Sequence, residues 1–196
     1  MPELPEVETV VRGLRPHLVG RSFTRVEQRR ADLREKLPSR LASRLEGRRV
    51  AAVERRAKYI LVRLDDANVL VVHLGMTGQF VLGDRPNRIG PHEHLSFTLD
   101  DGRVLRFTDP RRFGLMDLIA GDQLAAHRRF AALGPEPLSP EFTPDLLAAR
   151  LAGKRGPIKT VLLDQSVVAG LGNIYVCEAL FLDRKSTRLN SSHGYI

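Results

Sequence analysis

Pro2 is the residue with the most chemistry to offer. If the initiator Met1 is removed, Pro2 carries a free secondary amine at the chain terminus. A secondary amine that attacks an aldehyde-like sugar carbon gives an iminium that has no nitrogen proton to lose. It therefore serves as an electron sink for covalent catalysis. Two carboxylates, Glu3 and Glu6, lie within four residues of it in the opening Pro2-Glu3-Leu4-Pro5-Glu6. A free α-amino group has a pKa near about 8 against about 10.4 for lysine, so the terminal amine is the more available nucleophile at neutral pH. The plainer reading of Pro2 is a residue of a helix start, where proline is favoured.

Four further constellations carry chemistry. Arg55-Arg56-Ala57-Lys58-Tyr59 sets a lysine at the head of an apolar strand, where a solvated strand end is the ordinary role. His73-Leu74-Gly75-Met76-Thr77-Gly78 makes a sharp loop that would present Met76, a residue type that otherwise fills core gaps. Thr108-Asp109-Pro110-Arg111-Arg112-Phe113-Gly114 puts Arg and Phe on one loop. A cation there can pair with base edges or phosphates while the ring wedges into a base step. Gly170-Leu171-Gly172-Asn173-Ile174-Tyr175 leads glycines into a helix, whose free backbone amides suit a phosphate; an ordinary glycine turn has the same pattern.

The elements that must position these residues follow from periodicity. Val7, Val10, Val11, Leu14 and Leu18 recur at helical spacing, which predicts an amphipathic helix from about residue 5 to 17 or 18, closed by Gly20. A basic stretch at 21–49 mixes strand and loop. From 50 to about 118 short apolar or alternating runs predict strands at 59–62, 69–72, 95–99 and 104–107, with Asp101-Gly102 as a hairpin turn and 83–91 as a loop. Such a series suggests an antiparallel sandwich or barrel. A helix is expected at 122–132. A proline-rich linker follows at 133–142, and a helix starts at Thr143-Pro144-Asp145 and ends at Gly153. Short helices are expected at 157–163 and 174–181. The fold class is therefore α+β: an antiparallel β domain, a β-sandwich or barrel, flanked by helices at 1–132, the linker, and a helical domain at 143–182. Residues 183–196 lack periodicity and read as a disordered tail.

Composition bounds the partner. The chain has 196 residues, 31 Lys+Arg against 23 Asp+Glu, and a net charge of +8. That excess points to a polyanion, nucleic acid before an anionic membrane surface. No apolar run approaches a membrane span, and Glu3, Glu6 and Glu8 break any signal-peptide pattern. Cys177 is the single cysteine, so neither an internal disulfide nor a four-thiolate zinc site can form. A reducing, cytoplasmic compartment fits.

In this order and spacing the five constellations resemble the formamidopyrimidine-DNA glycosylase family of bacterial base-excision repair, from Met1 to about Leu182. Sister enzymes similar to endonuclease VIII typically have Gly where this chain has Leu4, which favours the branch acting on oxidised purines. The resemblance implies a bifunctional glycosylase and lyase that excises 8-oxoguanine and formamidopyrimidines through a Schiff base. Pro2 would be the nucleophile and Glu3 the general acid for the opening sugar. Lys58 would donate a proton in the elimination or hold a phosphate, and Glu6 would support the amine. Met76, Arg111 and Phe113 would fill the gap left by the flipped nucleotide, which offsets part of an unstacking cost of about a few kcal/mol. His92, Arg111 and Arg155 would contact DNA, and Lys159 and Asn173 would grip the flanking phosphates. Relatives often have Lys at position 155, and Arg keeps the charge. His73 would face DNA or pack at its strand end. The partner would be double-stranded DNA with oxidised bases, bound by a monomer.

The chain also departs from the family pattern. Relatives continue through the second half of a helix-two-turn-helix module and a four-cysteine zinc finger, so no zinc is expected on this chain. The stretch from about Asp183 resembles translated adapter or read-through sequence. Two alternatives to the enzyme stand: a weak or inactive DNA-binding fragment of the same family, and an RNA-binding or ribosome-associated basic protein. The last leaves Pro2, Lys58 and the 111–113 loop unexplained. The truncated helical domain is expected to leave Leu180 and Phe181 partly exposed.

Overall fold

A computed structural model describes residues 2–84 and 89–183 of the chain. It divides into two compact units: Met1–Arg55 with Tyr59–Leu124, and Arg56–Lys58 with the chain from Ala125 onward.

The first unit opens with α1 (Leu4–Leu18). Its buried residues Leu4, Val7, Val11, Leu14 and Leu18 are spaced three and four apart, one stripe of a helix. Full burial of each is worth about 1.5–3 kcal/mol. The helix ends at Val19, and Gly20 follows at φ +83°, a left-handed turn suited to glycine.

Eight strands complete this unit. They are β1 (Phe23–Gln28), β2 (Val50–Arg56), β3 (Tyr59–Leu64), β4 (Asn68–His73), β5 (Gln79–Gly83), β6 (Glu93–Leu99), β7 (Val104–Thr108) and β8 (Leu115–Ala120). Short α2 (Leu41–Leu45) lies between β1 and β2. The strands form two four-stranded sheets, ordered β1-β6-β7-β5 and β2-β3-β4-β8, which bears out the α+β reading with an antiparallel β domain. Phe23, Leu95, Phe97 and Phe107 of the first sheet share one core with Val53, Ile60, Val62, Leu70 and Val72 of the second and with the stripe of α1. Phe23 and Phe97 meet at 5.4 Å between ring centres, and Phe80 and Phe107 at 5.2 Å.

The hairpin expected at Asp101-Gly102 joins β6 to β7, with Gly102 at φ +87°. In β6 the alternation is only partial, because Ser96 is buried as well. Its hydroxyl accepts from Arg29 at 3.1 Å and donates to Glu27 at 3.2 Å, so a polar residue is satisfied on the face expected to be open. The loop expected at 83–91 falls partly outside the described residues; Gly83 itself ends β5.

In the second unit α3 (Pro144–Leu151) starts as its sequence dictates: the Thr143 hydroxyl accepts from Leu146 N–H at 3.2 Å. Helices α4 (Ile158–Leu163) and α5 (Asn173–Leu182) follow. Val161, Val167 and Val168 form a small core with Phe142, Leu147, Leu151 and Leu171.

Two expectations do not hold. In place of a helix at 122–132 there is one 3-10 turn, Gly121–Gln123, and then a series of turns. Of the ten residues that follow it, only Phe130 is buried, so the segment has no apolar stripe to hold a helix against a core. Leu180 is buried rather than partly exposed, while Phe181 is 74 % exposed as anticipated. The tail expected at 183–196 lies outside the described residues after Asp183.

Candidate catalytic terminus and nucleic-acid interface

Pro2 stands outside α1, one residue ahead of the helix cap Glu3. The helix-start role belongs to Pro5, within the first turn. Pro2 is half-buried, and Glu3 is only 2 % exposed. Glu3 N–H donates to Glu6 Oε2 at 2.9 Å, and the Glu3 side chain in turn accepts from the Glu6 backbone. This reciprocal box fixes the backbone next to Pro2 and sets both carboxylates at the positive end of the helix dipole. The Glu6 carboxylate thus supports Glu3 directly.

The loops at 74–78 and 109–114 bring Met76, Arg111 and Phe113 together as a unit. Gly75, at φ +64°, lies so close to the second loop that a Cβ would stand 2.2 Å from the Phe113 carbonyl carbon. Only glycine permits that approach. Gly78 N–H closes the first loop on Leu74 O at 2.8 Å. The tips stay open: Met76 and Phe113 are each 41 % exposed, and the Arg111 guanidinium stacks 4.6 Å from the Phe113 ring centre.

Asp109, fully buried, sits beneath these loops. Its Oδ1 accepts from the Thr77 hydroxyl at 2.5 Å and its Oδ2 from Gly114 N–H at 2.7 Å. The Thr77 hydroxyl oxygen accepts in turn from Arg111 N–H at 3.2 Å. His92 is exposed at φ +59°, and its carbonyl accepts from Asp109 N–H at 3.0 Å. His73 is half-buried; its Nδ1 accepts from Gly75 N–H at 3.0 Å, and its ring meets Tyr59 edge-on at 5.0 Å.

Lys58, Arg155, Lys159 and Asn173 belong to the second unit. The turn at Arg56-Ala57-Lys58 puts Ala57 at φ +52°. The Glu136 carboxylate accepts from Ala57 N–H at 2.6 Å and from Arg56 Nη1 at 2.8 Å, and Arg56 also donates to Gly134 O at 2.6 Å. Lys58 Nζ donates to Leu171 O at 2.9 Å, an oxygen that also accepts from Gln165 Nε2 at 2.9 Å. Arg155 and Asn173 are exposed, with Asn173 as the first residue of α5. Lys159 is only 8 % exposed, the least open of the four.

Sequence reasoning missed Thr77, Asp109, Glu136 and Gln165 as parts of the site. Glu136 lay in the expected linker at 133–142. The signal there was Gly134-Pro135-Glu136-Pro137, a carboxylate held between two rigid residues.

Cys177 is the single cysteine, and among the described residues no group of three or more His, Cys, Asp or Glu could hold a metal ion. No described helix is long and apolar enough to cross a membrane.

A two-sheet β domain opened by a capped helix, followed by helices with a glycine turn before α5, is the architecture of a class of DNA glycosylase. The family model of the formamidopyrimidine-DNA glycosylase N-terminal domain matches residues 1–116, and that of its H2TH domain matches 133–192. The second match runs past Leu182, where the resemblance was expected to stop. Among curated proteins, formamidopyrimidine-DNA glycosylase of Rhizorhabdus wittichii is 56 % identical over 182 residues, covering 93 % of this chain and 67 % of its own. That of Beijerinckia indica is 58 % identical over 187 residues, covering 92 % and 65 %. The Lactococcus lactis enzyme, solved non-covalently bound to DNA with an AP site, superposes with a TM-score of 0.85 at 35 % identity, covering 95 % of this chain and 73 % of that one. Another structure of it, with DNA carrying N7-benzyl-Fapy-dG, matches equally well, with a TM-score of 0.85. This chain belongs to the formamidopyrimidine-DNA glycosylase family, and it spans about two thirds of the length of these curated relatives.

Proposed function

We propose that this chain is a DNA glycosylase of base-excision repair that removes oxidised purines, 8-oxoguanine and formamidopyrimidines, and then cleaves the strand as a lyase. The observation that carries the reading is the placement of Pro2 ahead of the helix cap, beside buried Glu3. Once Met1 is removed, the Pro2 nitrogen is a secondary amine rather than an amide, and its lone pair is free for chemistry.

The reaction follows from the groups present. The Pro2 nitrogen bonds to the anomeric carbon as the bond to the damaged base breaks. Glu3 gives a proton to the ring oxygen, and the opened sugar becomes an iminium of Pro2. The iminium acidifies the neighbouring carbon, which loses a proton, and the 3′ phosphate departs. A second elimination releases the 5′ phosphate, and water returns the amine. Lys58 acts as proton donor in the elimination or holds a phosphate. Met76, Arg111 and Phe113 occupy the gap in the stack, with His92, Arg155, Lys159 and Asn173 along the backbone. The reading assigns no metal to this chain, a bacterial cytoplasmic setting and a monomer on double-stranded DNA.

Borohydride trapping on duplex with 8-oxoguanine opposite cytosine tests it. A covalent adduct that survives denaturing electrophoresis, and that is lost when a residue kept ahead of Pro2 makes its nitrogen an amide, is expected. No adduct, while a full-length relative traps in parallel, removes the activity.

A second reading has one observation in its favour, the net charge of +8, which by itself calls only for a polyanionic partner. On that reading the chain binds DNA without turnover. Binding would then fall steeply with salt, show no preference for damage and give no trapped adduct.

A further inference from the structure

We infer that the Thr77–Asp109 pair is a positioning device that locks Met76 and the Arg111–Phe113 loop into a single wedge. The inference rests on the reading of these loops as the elements that enter the DNA stack.

The geometry concentrates on one residue. Asp109 is fully buried, and through its own atoms it holds three exposed segments. Its Oδ1 takes the Thr77 hydroxyl, next to Met76. Its Oδ2 takes Gly114 N–H, next to Phe113. Its backbone N–H donates to the carbonyl of His92 at 3.0 Å, and its carbonyl accepts from His94 Nε2 at 2.8 Å and from Arg112 N–H at 3.2 Å. Arg112 is at φ +57° and His92 at φ +59°, left-handed conformations that an L residue holds only when its surroundings require it.

Thr77 completes the lock. A hydroxyl can donate once and accept twice. Here it donates to Asp109 Oδ1 and accepts from Arg111 N–H, so one side chain couples both loops. Valine would fill the same space and do neither. Serine would do both. The backbone approach of Gly75 to Phe113 is a second point at which the loops meet. A wedge that enters a base step must present its tips together, and a misplacement of about 1 Å can lower a rate on the order of a hundredfold.

The test uses the whole chain and a duplex with 8-oxoguanine opposite cytosine, with 2-aminopurine beside that cytosine. Opening of the stack raises the probe's fluorescence. Wild type at saturation should raise it; Thr77→Val should give a small fraction of the rise while still bound, and Thr77→Ser should restore it. Borohydride trapping adds the second measurement. Thr77→Val should trap about tenfold to a hundredfold more slowly on duplex, and close to the wild-type rate on the same lesion in single-stranded DNA, where no stack has to open.

A full fluorescence rise with Thr77→Val overturns the inference. So does an equal loss of trapping on duplex and single strand, which marks a merely structural residue. Where Thr77→Val fails to fold, Asp109→Asn carries the same comparison, since its amide cannot accept at both oxygen positions. Wild type that binds damaged duplex without any rise shows that the wedge reading itself is wrong, and the inference goes with it.

Discussion

Glu136 accepts the backbone N–H of Ala57 at 2.6 Å, and so holds the left-handed turn that carries Lys58. The same carboxylate takes Arg56 at 2.8 Å. Left-handed backbone at an L residue is about 1–2 kcal/mol unfavourable, and these two bonds oppose that strain. Glu136→Gln would keep the shape and lose the charge. We expect a loss of roughly 1–3 kcal/mol in unfolding free energy, read by chemical denaturation. We also expect slower elimination than base excision, read by comparing strand cleavage with base release. Unchanged stability together with unchanged cleavage would contradict this account of the turn.

Gly75 is the position at which the two wedge loops allow no added atom. Gly75→Ala would force a Cβ to 2.2 Å from a backbone carbon at φ +64°. The expected cost is roughly 2–4 kcal/mol, seen as a lowered thermal midpoint. Gly102 offers the control: its φ is +87°, and nothing lies within 4 Å of an added Cβ. Gly102→Ala should cost less than Gly75→Ala.

Glu8 contributes stability to the first unit that is present at neutral pH and lost in acid. Burial pushes its carboxyl up, but hydrogen bonds and charge from Arg12 and Arg55 outweigh that and leave it below the usual carboxylate range. A depressed folded-state value gives stability that is fully present above the unfolded value of about 4.3 and is lost as pH falls through the folded one. The advantage of wild type over Glu8→Gln should therefore be constant from about pH 6 upward and shrink below about pH 4. Urea denaturation across that range measures it; an advantage that grows on acidification would reverse the sign argued here.

Arg155 is exposed in the second unit and available to a phosphate. Arg155→Ala should weaken binding to damaged and undamaged duplex alike. It should also reduce the slope of log K against log salt by about 0.9, the value for one released counterion. A salt series by fluorescence anisotropy reads both. A slope that does not move would take Arg155 off the DNA.

Much of this was legible in the sequence, and for identifiable reasons. The stripe from Val7 to Leu18, the Asp101-Gly102 hairpin and the Thr143-Pro144 helix start are local signals, set by residues within one or two turns of each other. The ten residues after Gly121–Gln123 were misread because helix formers without a buried face do not make a helix. Residues that could act by their own chemistry, such as Pro2, Lys58 and Arg111, stood out by type. Thr77, Asp109 and Glu136 did not, because each works through a partner distant in sequence. Asp109 and Thr77 are 32 residues apart, and Glu136 and Ala57 are 79 apart.

The exposed side chains of Met76 and Phe113 rise from a base in which Gly75 allows no larger residue and buried Asp109 is bonded through both carboxylate oxygens. This divides the wedge into a fixed mount and exchangeable tips. If these tips enter DNA as proposed, one can be traded for another of different bulk, and the base step probed altered, while the mount is kept. A change at Asp109 has no such neutral route, since it alters all three segments at once.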